Sequence, residues 1–152
     1  MSRPPTPRPR VLLADDHSGL RGALRGLLEE TGFEVVGESA DGADAVALAR
    51  LLQPDIVVID VRMPVLNGLD AAKLIKDQRP ATQVVVLSAF ESPELERQAR
   101  EAGAFAYLDK GTMADRVRRV LLGAAVQAVL DAHPLPPGDP DPRPAPEWRE
   151  TS

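Results

Sequence analysis

Apolar and polar residues alternate in blocks along residues 10–133, and each block predicts one structural element. Short apolar runs predict five strands at 11–14, 33–37, 56–59, 83–87 and 104–108. Between them, apolar residues spaced three or four positions apart predict helices at 18–30, 41–52, 67–78, 92–102 and 113–131. The run 56–59 is apolar on both faces, which is typical of a central parallel strand. Strands that alternate with helices predict an α/β protein, a parallel sheet covered by helices on both faces.

The prolines predict where this folded unit ends. Of the 15 prolines, four lie in the first ten residues and seven in the last nineteen. Both ends lack the apolar residues that would offset the entropy lost on ordering. We therefore expect one domain at 10–133, a disordered proline/arginine arm at 1–9 and a disordered proline-rich tail at 134–152.

The composition excludes several classes of function. The formal net charge is −5, whereas a protein that binds nucleic acid directly usually presents a basic face. There are no cysteines, so neither a disulfide framework nor thiol chemistry is expected, and a reducing cytoplasm is compatible. No apolar run approaches the ~20 residues that a membrane-spanning helix needs. We expect a cytoplasmic protein with no membrane segment and no direct contact with nucleic acid within this chain.

Polar side chains follow four of the five predicted strands. Asp15 and Asp16 come after the first, Asp60 after the third, Ser88 after the fourth and Lys110 after the fifth. Ligands of open α/β sheets bind outside the carboxyl ends of the strands, so these side chains should meet at one rim. Like charges about 4 Å apart repel by about 4 kcal/mol at an effective dielectric constant of about 20, so clustered carboxylates need a cation. An all-oxygen site that keeps water suits Mg²⁺, and beside it an aspartate can attack phosphorus.

Each of these residues also has a simpler interpretation when taken alone. Asp15 and Asp16 fit a solvated turn, a single lysine is usually a surface residue, and His17 is expected to be structural. A phosphatase of the haloacid-dehalogenase type also uses an aspartate nucleophile with Mg²⁺. It needs a second aspartate two residues further on, where this chain has Arg62, and it needs cap insertions that this chain cannot accommodate.

Four segments together carry a resemblance to a known family: VLLADDHSGLR, VVIDVRMPVLNG, VVVLSAF and AFAYLDKG. They resemble the receiver domain of two-component response regulators, most closely the LuxR-type (NarL/FixJ) branch, over residues 10–131. The resemblance implies a flavodoxin-like (βα)5 fold with strand order 2-1-3-4-5. It also implies a phosphorylation-activated signalling switch rather than an enzyme, with a sensor histidine kinase or phosphotransfer protein as its partner.

The resemblance assigns a role to each candidate site residue. Asp60 is the phosphoacceptor, and Mg²⁺ is bound directly by Asp16, by Asp15 through water, and by Asp60 and the backbone carbonyl of Arg62. Ser88 and Lys110 contact the phosphoryl group.

The remaining assignments concern how the switch responds. Tyr107 is the aromatic switch that moves with Ser88, and the face built by helix four, strand five and helix five changes shape. Arg62 and Phe90 lie where the family tunes hydrolysis of the acyl phosphate.

Helix five has two apolar stripes. The first can face the sheet and contains Val117, Val120, Leu121, Ala124 and Ala128. The second lies on the far side and contains Leu122, Val126 and Val129. A second stripe needs cover from a partner protein, a second copy of the chain or the proline-rich tail. Our hypothesis is a homodimer through residues 120–130.

Three forms of the protein remain open at this point. We favour a stand-alone receiver that acts by protein contacts. The alternatives are a receiver fragment of a LuxR-type DNA-binding transcriptional regulator and a receiver-like interaction module that is never phosphorylated.

Overall fold

In the computed structural model, residues 8–111 and 113–133 are described, without the side chains of residues 113 and 114. In this part of the chain, strands and helices alternate strictly. The strands are β1 (Arg10–Ala14), β2 (Glu34–Ser39), β3 (Ile56–Asp60), β4 (Gln83–Ser88) and β5 (Ala106–Asp109). The helices are α1 (Ser18–Glu30), α2 (Gly42–Leu52), α3 (Gly68–Gln78), α4 (Pro93–Glu101) and α5 (Met113–Ala132).

The strands form one parallel sheet in the order β2-β1-β3-β4-β5. The predicted fold class and strand order are therefore confirmed. β3 lies at the centre, and its side chains alternate between two apolar cores. Ile56 and Val58 pack with residues of α1 and α5, whereas Val57 and Ile59 pack with residues of α2, α3 and α4. Burial of each large apolar side chain contributes about 1.5–3 kcal/mol, which explains why β3 is apolar on both faces.

Four of the helices begin directly after a side-chain cap. The capping residues His17, Asp41, Asn67 and Ser92 each accept a hydrogen bond from the backbone N–H three positions further on. The predicted starts of α2, α3 and α4 are these caps, so the helices proper begin one residue later. Each cap also ends a loop that leaves the carboxyl end of a strand, and it thereby fixes the length of that loop.

All five strands differ by one or two residues from their predicted bounds, and β2 and β5 differ most. β2 extends to Ser39 instead of ending at residue 37, because the polar side chains of Glu38 and Ser39 find partners outside the sheet. β5 begins at Ala106 instead of residue 104. The backbone N–H of Ala104 donates to the carbonyl of Ala99 at 3.0 Å, so Ala104 still belongs to the turn that ends α4.

α5 presents the two predicted stripes. Its sheet-facing residues Val117, Val120, Leu121, Ala124 and Ala128 are buried. Leu122, Val126 and Val129 are 48%, 50% and 61% exposed. The far end of α5 is tied to the sheet, because Gln83 Nε2 donates to Asp131 Oδ2 at 2.8 Å.

The remaining predictions about the ends of the chain lie mostly outside this description. Of the arm predicted at 1–9, only residues 8 and 9 are described, and the whole tail at 134–152 lies outside the described residues. Within 8–111 and 113–133, none of the helices combines the length and apolarity needed to cross a bilayer.

Candidate functional site

The carboxyl ends of neighbouring parallel strands bring the candidate residues to one edge of the sheet. Asp60 and Ser88 are the last residues of β3 and β4, Asp15 and Asp16 follow β1, and Lys110 follows β5. Asp60 pairs in register with Leu87 of β4, the residue before Ser88. The backbone N–H of Lys110 donates to the carbonyl of Ser88 at 2.7 Å, which joins the ends of β4 and β5.

Three carboxylates form an acidic cluster at this edge. One carboxylate oxygen from each of Asp15, Asp16 and Asp60 lies within 4.8 Å of the others. Asp15 and Asp60 are buried, whereas Asp16 is exposed. Asp15 Oδ2 is buried and accepts no hydrogen bond among the described residues, although it lies 3.0 Å from the ammonium of Lys110. The cluster therefore has unsatisfied acceptor capacity that points to a cation.

Lys110 is the cation of this cluster. Its Nζ lies 2.7 Å from Asp60 Oδ2 and 3.0 Å from Asp15 Oδ2. Burial alone would lower the pKa of Lys110, but the carboxylates of Asp60 and Asp15 outweigh it and raise the pKa above its ordinary value. Lys110 is therefore charged at neutral pH, and one positive charge faces three negative ones.

The donor set fits a divalent metal ion with a preference for oxygen. Three carboxylates leave two net negative charges after Lys110 is counted, and no sulfur or imidazole ligand belongs to the cluster. This chemistry suits Mg²⁺, which takes oxygen ligands and retains water. A cleft of about 510 Å³ opens beside Asp16 and Arg62 and gives solvent access to the cluster.

Arg62 and Phe90 form a contact pair next to Asp60 in the fold, called here the Arg62–Phe90 pair. The backbone N–H of Arg62 donates to Asp60 Oδ1 at 3.2 Å. Its guanidinium carbon lies 5.3 Å from the centre of the Phe90 ring, within the range of a cation–π interaction. The pair joins the loop after β3 to the loop after β4.

Ser88 and Tyr107 are linked through the same loop. The backbone N–H of Phe90 donates to Ser88 Oγ at 3.2 Å, and the hydroxyl of Tyr107 donates to the carbonyl of Phe90 at 2.6 Å. Burial raises the pKa of Tyr107, and a contact with Ser88 opposes that rise. Any movement of the loop after β4 therefore changes the contacts of both side chains.

Gly68 allows the loop after β3 to return close to Asp60. A Cβ atom at Gly68 would lie 1.9 Å from the carbonyl oxygen of Asp60, so no other residue fits without a shift of the backbone. The N–H of Gly68 donates to the carbonyl of Val61 at 2.8 Å, and Asn67 caps α3 by accepting from the N–H of Asp70. These contacts explain the spacing between Asp60 and the glycine in the sequence.

Three residues that hold the backbone of Asp15 were not identified from the sequence. The N–H of Asp15 donates to the carbonyl of Ser39 at 3.0 Å, and Arg21 Nη1 donates to the carbonyl of Asp15 at 2.5 Å. Glu38 in turn holds Arg21, with Oε1 at 2.9 Å from Nε. His17 has the structural role expected for it: its Nδ1 accepts from the N–H of Leu20, and its own N–H donates to Asp15 Oδ1.

Comparison with known proteins gives the same family as the resemblance. Residues 11–121 match the family model described as the response regulator receiver domain. The signal receiver domain of NarL from Mycobacterium tuberculosis has a similar structure, with a TM-score of 0.74 and 31% sequence identity over 78% of this chain and 97% of that one.

Two curated relatives differ in how much of them this chain spans. The transcriptional regulatory protein PdtaR of Mycobacterium tuberculosis is 50% identical over 101 residues, which are 66% of this chain and 49% of that protein. The chemotaxis protein CheY of Thermotoga maritima is 37% identical over 112 residues, which are 74% of this chain and 93% of that protein. The chain thus spans about half of the first and nearly all of the second.

Proposed function

Because the chain belongs to the response regulator receiver family, we propose that it is a phosphorylation-activated signalling switch with Asp60 as its phosphoacceptor. The donor is a phosphohistidine of a sensor histidine kinase or of a phosphotransfer protein. A carboxylate oxygen of Asp60 attacks phosphorus, the P–N bond breaks, and the imidazole nitrogen keeps the electron pair. The observation that carries the proposal is the buried Asp60 carboxylate, held between Lys110 and two further carboxylates at one rim.

Asp15, Asp16 and Asp60, with the backbone carbonyl of Arg62, would hold Mg²⁺. The ion supplies positive charge that neutralises the cluster and the incoming phosphoryl oxygens. Asp15 is suited to this role because its buried Oδ2 keeps acceptor capacity after the contact with Lys110.

Lys110 and Ser88 act on the transferred group itself. Lys110 exchanges part of its contact with Asp60 for the phosphoryl oxygens, since its flexible stem carries a compact charge. Ser88 donates a hydrogen bond from the other side, and to reach the phosphoryl group it gives up its contact with the N–H of Phe90. Most of the rate enhancement is positioning and charge neutralisation, so the protein is a signalling domain that assists its own phosphorylation and dephosphorylation.

The output is a change in the face built by α4, β5 and α5. Tyr107 is the switch residue, because its hydroxyl is held by the loop that Ser88 begins. When Ser88 turns towards the phosphoryl group, this loop moves and Tyr107 loses its present anchor. The two arrangements form a two-state equilibrium that phosphorylation shifts.

The test is phosphorylation with a small-molecule phosphodonor. Incubated with Mg²⁺ and acetyl phosphate, the protein should gain the mass of one phosphoryl group, and Asp60→Asn should not. Asp77→Asn is the matched control, because Asp77 is exposed at the far end of α3 and pairs with Lys73. A wild type that forms no adduct would favour the unphosphorylated interaction module.

We also propose that the protein acts in the cytoplasm as a stand-alone receiver through protein contacts. The extent of the match to CheY of Thermotoga maritima supports this form, whereas PdtaR is matched over only about half its length. Detection of the natural gene product in its host by an antibody decides the point. A product near 16.3 kDa supports the proposal, and a much larger one favours a fragment of a DNA-binding regulator.

A homodimer through α5 is the third part of the proposal. Leu122, Val126 and Val129 are spaced four and three apart, as in the seam of a two-helix coiled coil, and each is about half exposed or more. Light scattering with and without a phosphoryl analogue should show a dimer that Val126→Arg dissociates. Ala132→Arg, also exposed on α5, is the control. A monomeric wild type under both conditions contradicts the homodimer.

A further inference from the structure

Apart from Asp60, the last residue of β3, the expected metal ligands lie on two separate loops: Asp15 and Asp16 on the β1–α1 loop and Arg62 on the β3–α3 loop. We propose that residues 39–42, called here the β2–α2 corner, set the distance between these loops. Ser39 and Gly42 are then positioning residues for metal binding. The inference rests on the proposed function, since it assigns a task towards the same Mg²⁺ site.

The first contact of the β2–α2 corner is with the β1–α1 loop. Ala14 and Ser39 are the last residues in register between β1 and β2, and the N–H of Asp15 donates to the carbonyl of Ser39 at 3.0 Å. The sheet ladder therefore continues by one hydrogen bond past the end of β1. This bond fixes the backbone of Asp15, and with it the direction in which the Asp15 carboxylate leaves the strand.

The side chain of Ser39 makes the corner rigid. It is only 3% exposed, and its single O–H has two acceptors within reach, the carbonyl of Asp41 at 2.8 Å and Asp44 Oδ2 at 2.9 Å. The hydroxyl also accepts from the N–H of Asp41 at 3.3 Å. The end of β2 is thus joined to the first turn of α2 by a buried hydroxyl, and buried polar groups are costly when their partners are removed.

The second contact of the corner is with the β3–α3 loop. The N–H of Gly42 donates to the carbonyl of Pro64 at 3.1 Å. A Cβ atom at Gly42 would lie 1.7 Å from the carbonyl oxygen of Leu66, so the start of α2 packs directly on the backbone of the loop. Between these two carbonyls, Val65 has φ 71°, a left-handed conformation that β-branched residues rarely adopt. The loop keeps this costly shape because the corner holds it on both sides.

The two loops are consequently connected through residues 39–42, in which the side chains of Ser39 and Asp41 form hydrogen bonds with Asp41 and Asp44. Residues that orient metal ligands from outside typically change metal affinity by about 10- to 100-fold when they are substituted. The corner acts on the backbone of the ligands, so its substitution should weaken Mg²⁺ binding while all three carboxylates are retained.

The experiment compares Ser39→Ala and Gly42→Ala with Gly26→Ala. Gly26 lies on the exposed face of α1, and a Cβ atom there would meet nothing within 4 Å. The Mg²⁺ dissociation constant is measured by isothermal titration calorimetry at a temperature where circular dichroism shows each variant folded. We expect it to rise about tenfold in the two corner variants and to be unchanged in Gly26→Ala. Ser39→Thr, which keeps the hydroxyl, should retain most of the wild-type affinity.

The outcomes separate this inference from the proposed function. Corner variants that are folded and bind Mg²⁺ like the wild type overturn the inference, even if their melting temperatures in chelator are lower. If Gly42→Ala does not fold, the comparison of Ser39→Ala with Ser39→Thr decides. A wild type that is phosphorylated, with affinity unchanged in the variants, overturns the inference alone. A wild type that neither binds Mg²⁺ nor is phosphorylated overturns both.

Discussion

Lys110 lies between the buried carboxylates of Asp15 and Asp60, which stabilise its protonated form and raise its pKa. A raised pKa in the folded state means that the charged form of Lys110 stabilises the fold over the neutral range, below the ordinary pKa of lysine. This contribution is lost as the pH rises through the raised value. Over the neutral range, Lys110 therefore contributes a constant charge to the rim.

Removal of this charge should destabilise the protein. In chelator at neutral pH, Lys110→Met should lower the free energy of unfolding by about 2 kcal/mol, because Asp15 and Asp60 then face each other without a cation. Urea denaturation measures the change, and Mg²⁺ should reverse part of it. Lys73→Met, at an exposed ion pair of α3, should change stability by less than about 0.5 kcal/mol. Equal losses in the two variants would contradict the interpretation.

The Arg62–Phe90 pair adjoins Asp60 through the backbone N–H of Arg62, and we expect it to lengthen the lifetime of the proposed acyl phosphate. Arg62→Ala and Phe90→Ala should each speed hydrolysis about two- to fivefold, the range expected for loss of an exposed cation–π contact. The decay of the mass adduct in excess chelator gives the rate. The double variant should decay about as fast as either single one, because both remove the same contact. Additive effects would show that the two side chains act separately.

Among the secondary-structure elements, β2 also holds α1 in place through ion pairs. It is an edge strand, yet Glu38 at its end lies 2.9 Å from Arg21 and 2.5 Å from Arg25 of α1. Burial alone would raise the pKa of Glu38, but hydrogen bonds from Arg25 and Arg21 outweigh it and lower the pKa. This network holds α1 against the strand that carries Ser39, and Arg21 continues it to the carbonyl of Asp15.

The lowered pKa of Glu38 predicts a pH-dependent contribution to stability. A depressed pKa stabilises the fold above the unfolded value of 4.5, and the effect disappears as the pH falls through the lower folded value. At neutral pH, Glu38→Gln should cost about 0.5–1 kcal/mol, a value discounted for solvent screening. Below both pKa values it should cost nothing. Denaturation across this pH range measures the difference, with exposed Glu34→Gln of the same strand as control. A cost that is independent of pH would mean that charge is not the cause.

Ten elements and the residues of the rim were predictable from the sequence, because hydrophobic period and strand ends are local signals. The ends of β2 and the contacts of Ser39, Gly42 and Arg21 were not, because their partners lie on other elements of the fold. Ala23 shows the same limit: it is one of the apolar residues whose spacing predicts the helix at 18–30, but it is exposed. A short side chain at the border of a stripe fits either environment, and only the position of the sheet decides. The switch roles of Ser88 and Tyr107 stay predictions.

For the molecule as a whole, the proposed Mg²⁺ site predicts that stability depends on divalent cations. Mg²⁺ would bind the folded chain, in which the three carboxylates meet, and not the unfolded chain, in which they are scattered. At 100 times its dissociation constant, it should add about 2.7 kcal/mol to the free energy of unfolding. Thermal denaturation over a Mg²⁺ titration measures this, and Asp16→Asn should need more Mg²⁺ for the same shift. A melting temperature that is independent of Mg²⁺ would contradict the metal site.

The parallel direction of all five strands determines which partner proteins can bind at the same time. Since the proposed phosphoacceptor Asp60 and its neighbours all lie at the same edge of the sheet, a protein that delivers the phosphoryl group and one that removes it would have to approach through the same opening. Two such proteins would exclude each other sterically. The outer stripe of α5, the proposed homodimer interface, faces away from the sheet, so a second copy bound there would leave this opening free. Phosphoryl transfer and association through α5 could therefore occur at the same time, whereas phosphoryl transfer and removal of the group by another protein would exclude each other.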